Sequence, residues 1–143
     1  MTAAIRIIIV DDHQLVLNSW KDLLEKNPRF KVVAECLDGR EAIDKTLKLA
    51  PDIILVDITM KPLNGFQVAE QINTKMPAVK IIGMSVNNQP SYANKMMELG
   101  ARGYLTKTST LEEINHAINE IYAGRYYVCE EIRKKLRPSE PSQ

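Results

Sequence analysis

Residues 5–13 read Ile5-Arg6-Ile7-Ile8-Ile9-Val10-Asp11-Asp12-His13, and the fold turns on how this stretch is interpreted. Ile5 to Val10 is a short, β-branched apolar run followed at once by polar residues able to open a helix, which makes it a buried strand. Between Gln14 and Asn27 the residues Leu15, Val16, Trp20, Leu23 and Leu24 recur at helical spacing, and Asn27-Pro28 supplies a stop. Lys31 to Cys36 is a second strand, with polar interruptions that suit a sheet edge. Strand, helix, strand is the start of an alternation that runs on along the chain.

Asp38-Gly39 marks the next turn; Ala42, Ile43, Thr46, Leu47 and Ala50 then form a helical stripe, ended by Pro51. Ile53-Ile54-Leu55-Val56 is the third strand and the most uniformly apolar. A loop with Pro62, Asn64 and Gly65 leads into a helix carrying Phe66, Val68, Ala69 and Ile72 as far as Met76. Val79 to Met84 is a fourth strand, and Tyr92, Ala93, Met96, Met97 and Leu99 mark a fourth helix closed by Gly100. Gly103-Tyr104-Leu105-Thr106 is a short fifth strand, and Leu111, Ile114, Ala117, Ile118 and Ile121 form a fifth helix stopped near Gly124. Five strands alternating with five helices through short connections predict an α/β fold, a parallel (βα)5 sheet with helices on both faces. The first strand, apolar but for Arg6, and the wholly apolar third take its centre.

Composition narrows the function classes. With 143 residues, 45% of them hydrophobic, the chain can bury one sizeable core, and a single domain is expected over residues 1–125. Net charge is +1, with no acidic tail, so nothing in the composition calls for nucleic acid or a membrane surface as partner. Cys36 and Cys129 lack metal-type spacing, no signal-peptide pattern opens the chain, and no apolar run approaches the ~20 residues of a membrane span. The expected setting is soluble, reducing and cytoplasmic. Residues 126–143 stand outside the alternation and are expected to be a short C-terminal helix and linker: Val128, Ile132 and Leu136 are spaced by four on the basic run Arg133-Lys134-Lys135-Leu136-Arg137, and Pro138 to Gln143 form a tail. That stripe predicts docking on the chain's own domain or on a partner subunit.

In a sheet of this kind ligands bind beyond the carboxyl ends of the strands, at the switch point of the strand order. The first strand ends in Asp11-Asp12, the third in Asp57, the fourth in Ser85 and the fifth in Lys107. Three carboxylates brought together repel unless a cation neutralises them, and an all-oxygen cluster suits a hard ion such as Mg²⁺. A carboxylate can act as a nucleophile and form an aspartyl phosphate, and phosphoryl transfer needs chiefly positioning and neutralisation of the oxygens. Mg²⁺ and Lys107 would supply charge, Ser85 a hydroxyl hydrogen bond. Taken singly, each residue has an ordinary role: the Asp pair as a helix N-cap, Asp57 as a loop opener, Ser85 in a turn or cap, Lys107 as a solvated charge. One polar group after each of four strands favours a shared site. His13 is taken as a surface or capping residue and Tyr104, by pattern alone, as core.

Residues 5 to about 124 resemble the receiver domain of two-component response regulators. The resemblance rests on Ile8-Ile9-Val10-Asp11-Asp12-His13, on Asp57-Ile58-Thr59-Met60 with Gly65 beyond, on Met84-Ser85, and on Gly103-Tyr104-Leu105-Thr106-Lys107, in this order. It implies a flavodoxin-like, doubly wound sheet of strand order 2-1-3-4-5, and a phosphoacceptor at Asp57 charged by a histidine kinase. It also implies that Asp12, Asp57 and the Thr59 carbonyl bind Mg²⁺, with Asp11 acting through water, and that Ser85 and Lys107 touch the phosphoryl oxygens. Tyr104 would then be an aromatic that rotates with Ser85, and Thr59 and Asn87 would tune the lifetime of the phosphate.

Three positions depart from the family pattern. Lys61-Pro62 stands where many receivers have Pro directly after the Met, which predicts a different loop path; Val86 is bulkier than usual and narrows access; and Thr108 replaces the Pro after Lys107, which predicts a trans peptide there. Asp11-Asp12-His13, the Pro-free segment to Lys107, and Ala117-Ile118 with Gly124 and Tyr127 are similar to the NarL/LuxR class. That class implies a helix-turn-helix domain beyond Gln143, so DNA would be met only through an output domain outside this chain, and phosphorylation would promote a homodimer.

Three other readings compete. A Mg²⁺-dependent phosphohydrolase with an aspartyl-phosphate intermediate would carry Asp-x-Asp after the first strand and usually a cap domain, whereas this chain has Asp11-Asp12 adjacent. A standalone receiver acting through protein contacts would share every one of these motifs and differ only in having no output domain. A flavodoxin-like electron carrier would place an anionic flavin phosphate beside an acid-lined site.

Overall fold

The computed structural model describes residues 3–136. The elements follow in the order β1 (Ile5–Val10), α1 (Gln14–Leu24), β2 (Phe30–Cys36), α2 (Gly39–Leu49), β3 (Ile53–Asp57), α3 (Gly65–Lys75), β4 (Lys80–Ser85), α4 (Pro90–Glu98), β5 (Gly103–Thr106), α5 (Leu111–Tyr122), β6 (Tyr127–Val128) and α6 (Glu130–Leu136). The strands pair in parallel in the order β2-β1-β3-β4-β5-β6. This is the doubly wound α/β arrangement expected, extended by one strand. The sixth strand is a correction to the five-stranded expectation, and its two residues are too few to show a period. It exists because β5 would otherwise expose a row of unpaired backbone groups: Tyr127 N donates to Arg102 O at 3.1 Å and Cys129 N to Tyr104 O at 3.0 Å.

Helix starts follow side-chain chemistry. Asp38 accepts from Glu41 N at the start of α2, Asn64 and Gln67 form a reciprocal capping box on α3, and Thr110 accepts from Glu113 N on α5. On α1 the buried residues are Leu17, Trp20 and Leu24, while the expected stripe member Leu15 is 80% exposed. At 3.6 residues per turn, Leu15 sits about 200° around the helix from Leu17, so the two cannot share a face. Leu47, also placed on a buried stripe, is exposed as well.

In the C-terminal segment the evenly spaced stripe breaks up. Val128 lies in β6, Ile132 of α6 is buried in the common core with Cys129, and Leu136 is exposed. Helix α6 packs against α4 of its own chain. Arg137 and the expected tail from Pro138 to Gln143 lie outside the described residues.

Both free cysteines are buried, and burial, the largest influence, pushes the Cys36 thiol up to about 12. Among the described residues no helix is long and apolar enough to cross a membrane.

Candidate phosphoacceptor site

The chain leaves β1 toward β2 on one side and returns to β3 on the other, so the loops after β1 and β3 diverge and leave a crevice at their carboxyl ends. Asp57, the last residue of β3, is buried at 2% exposure. Its Oδ1 accepts from Thr59 N at 3.1 Å and from the Thr59 hydroxyl at 2.9 Å. Its Oδ2 has no hydrogen-bond partner, and the Lys107 Nζ lies 3.4 Å away. One oxygen is thus held by the loop and the other, buried, faces the Lys107 ammonium. Gly65 lets the first turn of α3 close on this strand end, since its amide donates to Ile58 O at 3.2 Å and a Cβ there would stand 2.7 Å from Asp57 O.

Lys107 reaches across from the end of β5 and donates to Asp11 Oδ2 at 2.5 Å. Burial works against its ammonium, yet the hydrogen bond to Asp11 and the charges of Asp57 and Asp11 outweigh it, so its pKa stands above the ordinary lysine value. Lys107 therefore stays cationic between two carboxylates. Its peptide link to Thr108 is trans; the loop after Asp57 instead holds a cis Lys61-Pro62 bond, one residue beyond the usual proline position.

Asp11 is buried and Asp12 is part-exposed, and His13 lies over both, its Nδ1 3.0 Å from Asp11 Oδ1 and 2.9 Å from Asp12 Oδ1. Asp11, Asp12 and His13 offer ligand atoms within 4.8 Å of one another, an arrangement able to hold a cation. His13 occupies the N-cap position of α1 but makes no side-chain cap. Its hydrogen bond to Asp11, then the charges of Asp12 and Asp11, raise its pKa above the usual imidazole value. His13 is at the surface, as expected, but its bridge between the two carboxylates was not among the roles expected of it. The available signal was the Asp-x-His spacing, in which Asp11 Oδ1 also accepts the His13 amide.

Ser85 is fully buried at the end of β4, and its Oγ accepts from Asn87 N at 2.9 Å. Lys107 N donates to Ser85 O at 2.9 Å, which ties the ends of β4 and β5 together. Tyr104 is fully buried beside Gly83 and Met96, and its hydroxyl has no hydrogen-bond partner. Burial raises its pKa well above the usual phenol value. Val86 is 77% exposed, projecting from the loop rather than filling the crevice. The structure thus brings Lys107 against both Asp11 and Asp57, leaves Asp12 and Thr59 exposed, buries Ser85 and Tyr104, and groups Asp11 and Asp12 with His13 rather than with Asp57 as close ligand atoms.

Comparison with known proteins agrees with this geometry. The model of the response regulator receiver domain matches residues 7–119. The transcriptional regulatory protein DegU of Brevibacillus brevis is 33% identical over 92% of this chain and 56% of its own length, and the response regulator UvrY of Escherichia coli is 32% identical over 95% and 62%. The chain thus spans about three fifths of the length of these curated relatives. A two-component response regulator of the LuxR family from Aurantimonas superposes with a TM-score of 0.90 at 33% identity, covering 94% of this chain and 96% of that one. Strand order, the position of Asp57 at the end of β3, and these matches together place the chain in the response regulator receiver domain family, on the LuxR side of it.

Proposed function

We propose that this domain is a phosphorylation switch in which Asp57 takes a phosphoryl group from a phosphohistidine of a sensor kinase. The observation that carries the reading is the state of Asp57, a buried carboxylate with one oxygen fixed by Thr59 and the other unbonded beside Lys107. In the transfer, that oxygen attacks phosphorus, an O–P bond forms as the P–N bond to the imidazole breaks, and the imidazole leaves with the electron pair. Lys107 meets the negative charge on the phosphoryl oxygens, and the Ser85 hydroxyl donates to one of them once the Ser85 loop moves in.

The acidic oxygens of Asp11, Asp12 and Asp57 fit a hard divalent cation, and they would hold Mg²⁺ together with the Thr59 carbonyl, Asp11 acting through water. When bound, Mg²⁺ neutralises charge on the transferring group. Thr59, bonded to Asp57, and Asn87, whose amide is bonded to Ser85 Oγ, would set how readily water reaches the product. Tyr104, packed behind Ser85, follows its movement. As the NarL/LuxR resemblance implies, and as the transcriptional role in the name of DegU supports, the switch controls a DNA-binding output domain and so transcription.

The test is intact-mass measurement after incubation with acetyl phosphate and Mg²⁺. The wild-type chain gains one phosphoryl group and Asp57→Asn gains none; an Asp57→Asn variant modified at the wild-type rate would remove the assignment. Turnover of small phosphate esters beyond one equivalent would point instead to a phosphohydrolase.

A further inference from the structure

The β6–α6 segment is fastened to the domain at two carboxylates that do different things. Glu113 of α5 accepts from the Tyr127 hydroxyl at 2.8 Å and from Glu130 N at 2.7 Å. With the β5–β6 backbone bonds and the buried Cys129 and Ile132, this anchors the segment to α5 and β5. Glu131, one residue along, faces the other way. Its Oε2 accepts from Asn88 Nδ2 at 2.7 Å, and its Oε1 accepts from the hydroxyls of Thr106 at 3.1 Å and Thr108 at 3.3 Å.

These three donors flank the groups assigned to the phosphoryl oxygens. Thr106 and Thr108 are the chain neighbours of Lys107. Asn88 adjoins Asn87, whose amide is bonded to Ser85 Oγ. A single exposed carboxylate on the last helix therefore grips both loops that must adjust around a phosphoryl group on Asp57.

We propose that Glu131 is a clasp through which the β6–α6 segment restrains the Ser85 and Lys107 loops and sets how readily the acceptor site engages a phosphoryl group. Glu131 is a positioning residue in this scheme, acting through Asn88, Thr106 and Thr108. The inference rests on the proposed function above, in that it takes Ser85 and Lys107 as the phosphoryl contacts. A phosphoryl group sits beyond the Asp57 carboxylate, so engaging it draws Lys107 off Asp11 and pulls Ser85 toward Asp57, and both movements load the hydrogen bonds to Glu131. By linkage, loosening the clasp favours the engaged site, and engagement loosens the clasp by the same factor. Hydrogen bonds to a charged acceptor in a partly exposed setting make the expected effect roughly fivefold.

The experiment uses the full chain with Mg²⁺ and beryllofluoride as the phosphoryl mimic, its binding followed by ¹⁹F NMR, and hydrogen exchange measured across residues 130–136. Glu131→Ala binds the mimic roughly fivefold more tightly than wild type, and Glu131→Gln, which retains an acceptor for Asn88, falls between the two. In the wild-type chain the mimic speeds exchange in α6; in Glu131→Ala exchange is already fast and the mimic adds little. Glu131 is on the surface, and the Glu113 anchor is untouched, so an unaltered far-ultraviolet spectrum and melting transition identify a folded variant. Affinity within twofold of wild type, or lowered, together with an α6 response to the mimic equal to that of wild type, overturns the clasp. Failure of the wild-type chain to bind the mimic, or equal binding by Asp57→Asn, would instead overturn the acceptor assignment.

Discussion

Replacing Gly65 by alanine tests how tightly the acceptor is built into the fold. The added methyl would lie 2.5 Å from Ile58 Cα, 2.7 Å from Asp57 O and 3.0 Å from Asp57 C. All three are backbone atoms of the strand end that carries the acceptor, so no side chain can swing aside. The closest contact falls about 0.9 Å short of the 3.4 Å at which ordinary van der Waals contact begins. Either α3 moves out or the Asp57–Ile58 backbone moves in by that much, and overpacking of this kind costs about 2–3 kcal/mol. Asp57 is the group displaced, so phosphorylation suffers beyond the loss of stability: a misplacement near 1 Å at a reacting group costs on the order of 10²-fold in rate.

Urea unfolding followed by Trp20 fluorescence gives the first quantity, and the mass gain with acetyl phosphate, measured where the variant is still folded, gives the second. Gly124→Ala is the control. Gly124 has φ +97° and no neighbour within 4 Å of the added methyl, so only backbone strain, about 1 kcal/mol, applies. A Gly65→Ala chain within 0.5 kcal/mol of wild type and phosphorylated at its rate would refute the claim that α3 and the acceptor strand close on each other through this glycine.

Two further outcomes rest on the same geometry. Lys107→Ala still gains phosphate but on the order of 10²-fold more slowly, because it loses the cation facing the transferred oxygens; with a phosphoryl mimic it shows little of the wild-type hydrogen-exchange change around Tyr104 and α4, and a normal response there would remove Lys107 from the coupling. Alkaline pH tests the Tyr127 anchor: burial, then the hydrogen bond to Glu113, push its phenol up to about 12 from the ordinary ~10. The folded state therefore holds that proton longer than the unfolded chain. The resulting stabilisation is full below pH ~10 and is lost as pH rises toward 12, so in denaturant titrations wild type loses stability over that window more steeply than Tyr127→Phe, and parallel curves would refute the contribution.

The alternation of β-branched runs with helical stripes was legible along the chain because burial on both faces of a parallel sheet leaves a local, periodic trace. The acceptor chemistry was legible too: Asp11, Asp57, Ser85 and Lys107 each stand at a strand end, and strand ends in this topology meet at one edge. The sequence alone therefore determined the fold class, the strand order through its family resemblance, and the residue types gathered at the crevice.

Tertiary structure decided what depends on partners distant in the chain. Which oxygen of Asp57 is held and which is unbonded depends on how the Thr59 loop turns back on β3. That His13 spans Asp11 and Asp12 instead of capping α1 depends on the two carboxylates its Nδ1 meets at the end of β1. The sixth strand depends on the open edge of β5, and the reach of Glu131 to Asn88 and Thr106 depends on α6 packing beside α4. Hydrogen bonds between residues 25 to 43 positions apart leave no period in either partner's neighbourhood, so only the folded chain specifies them.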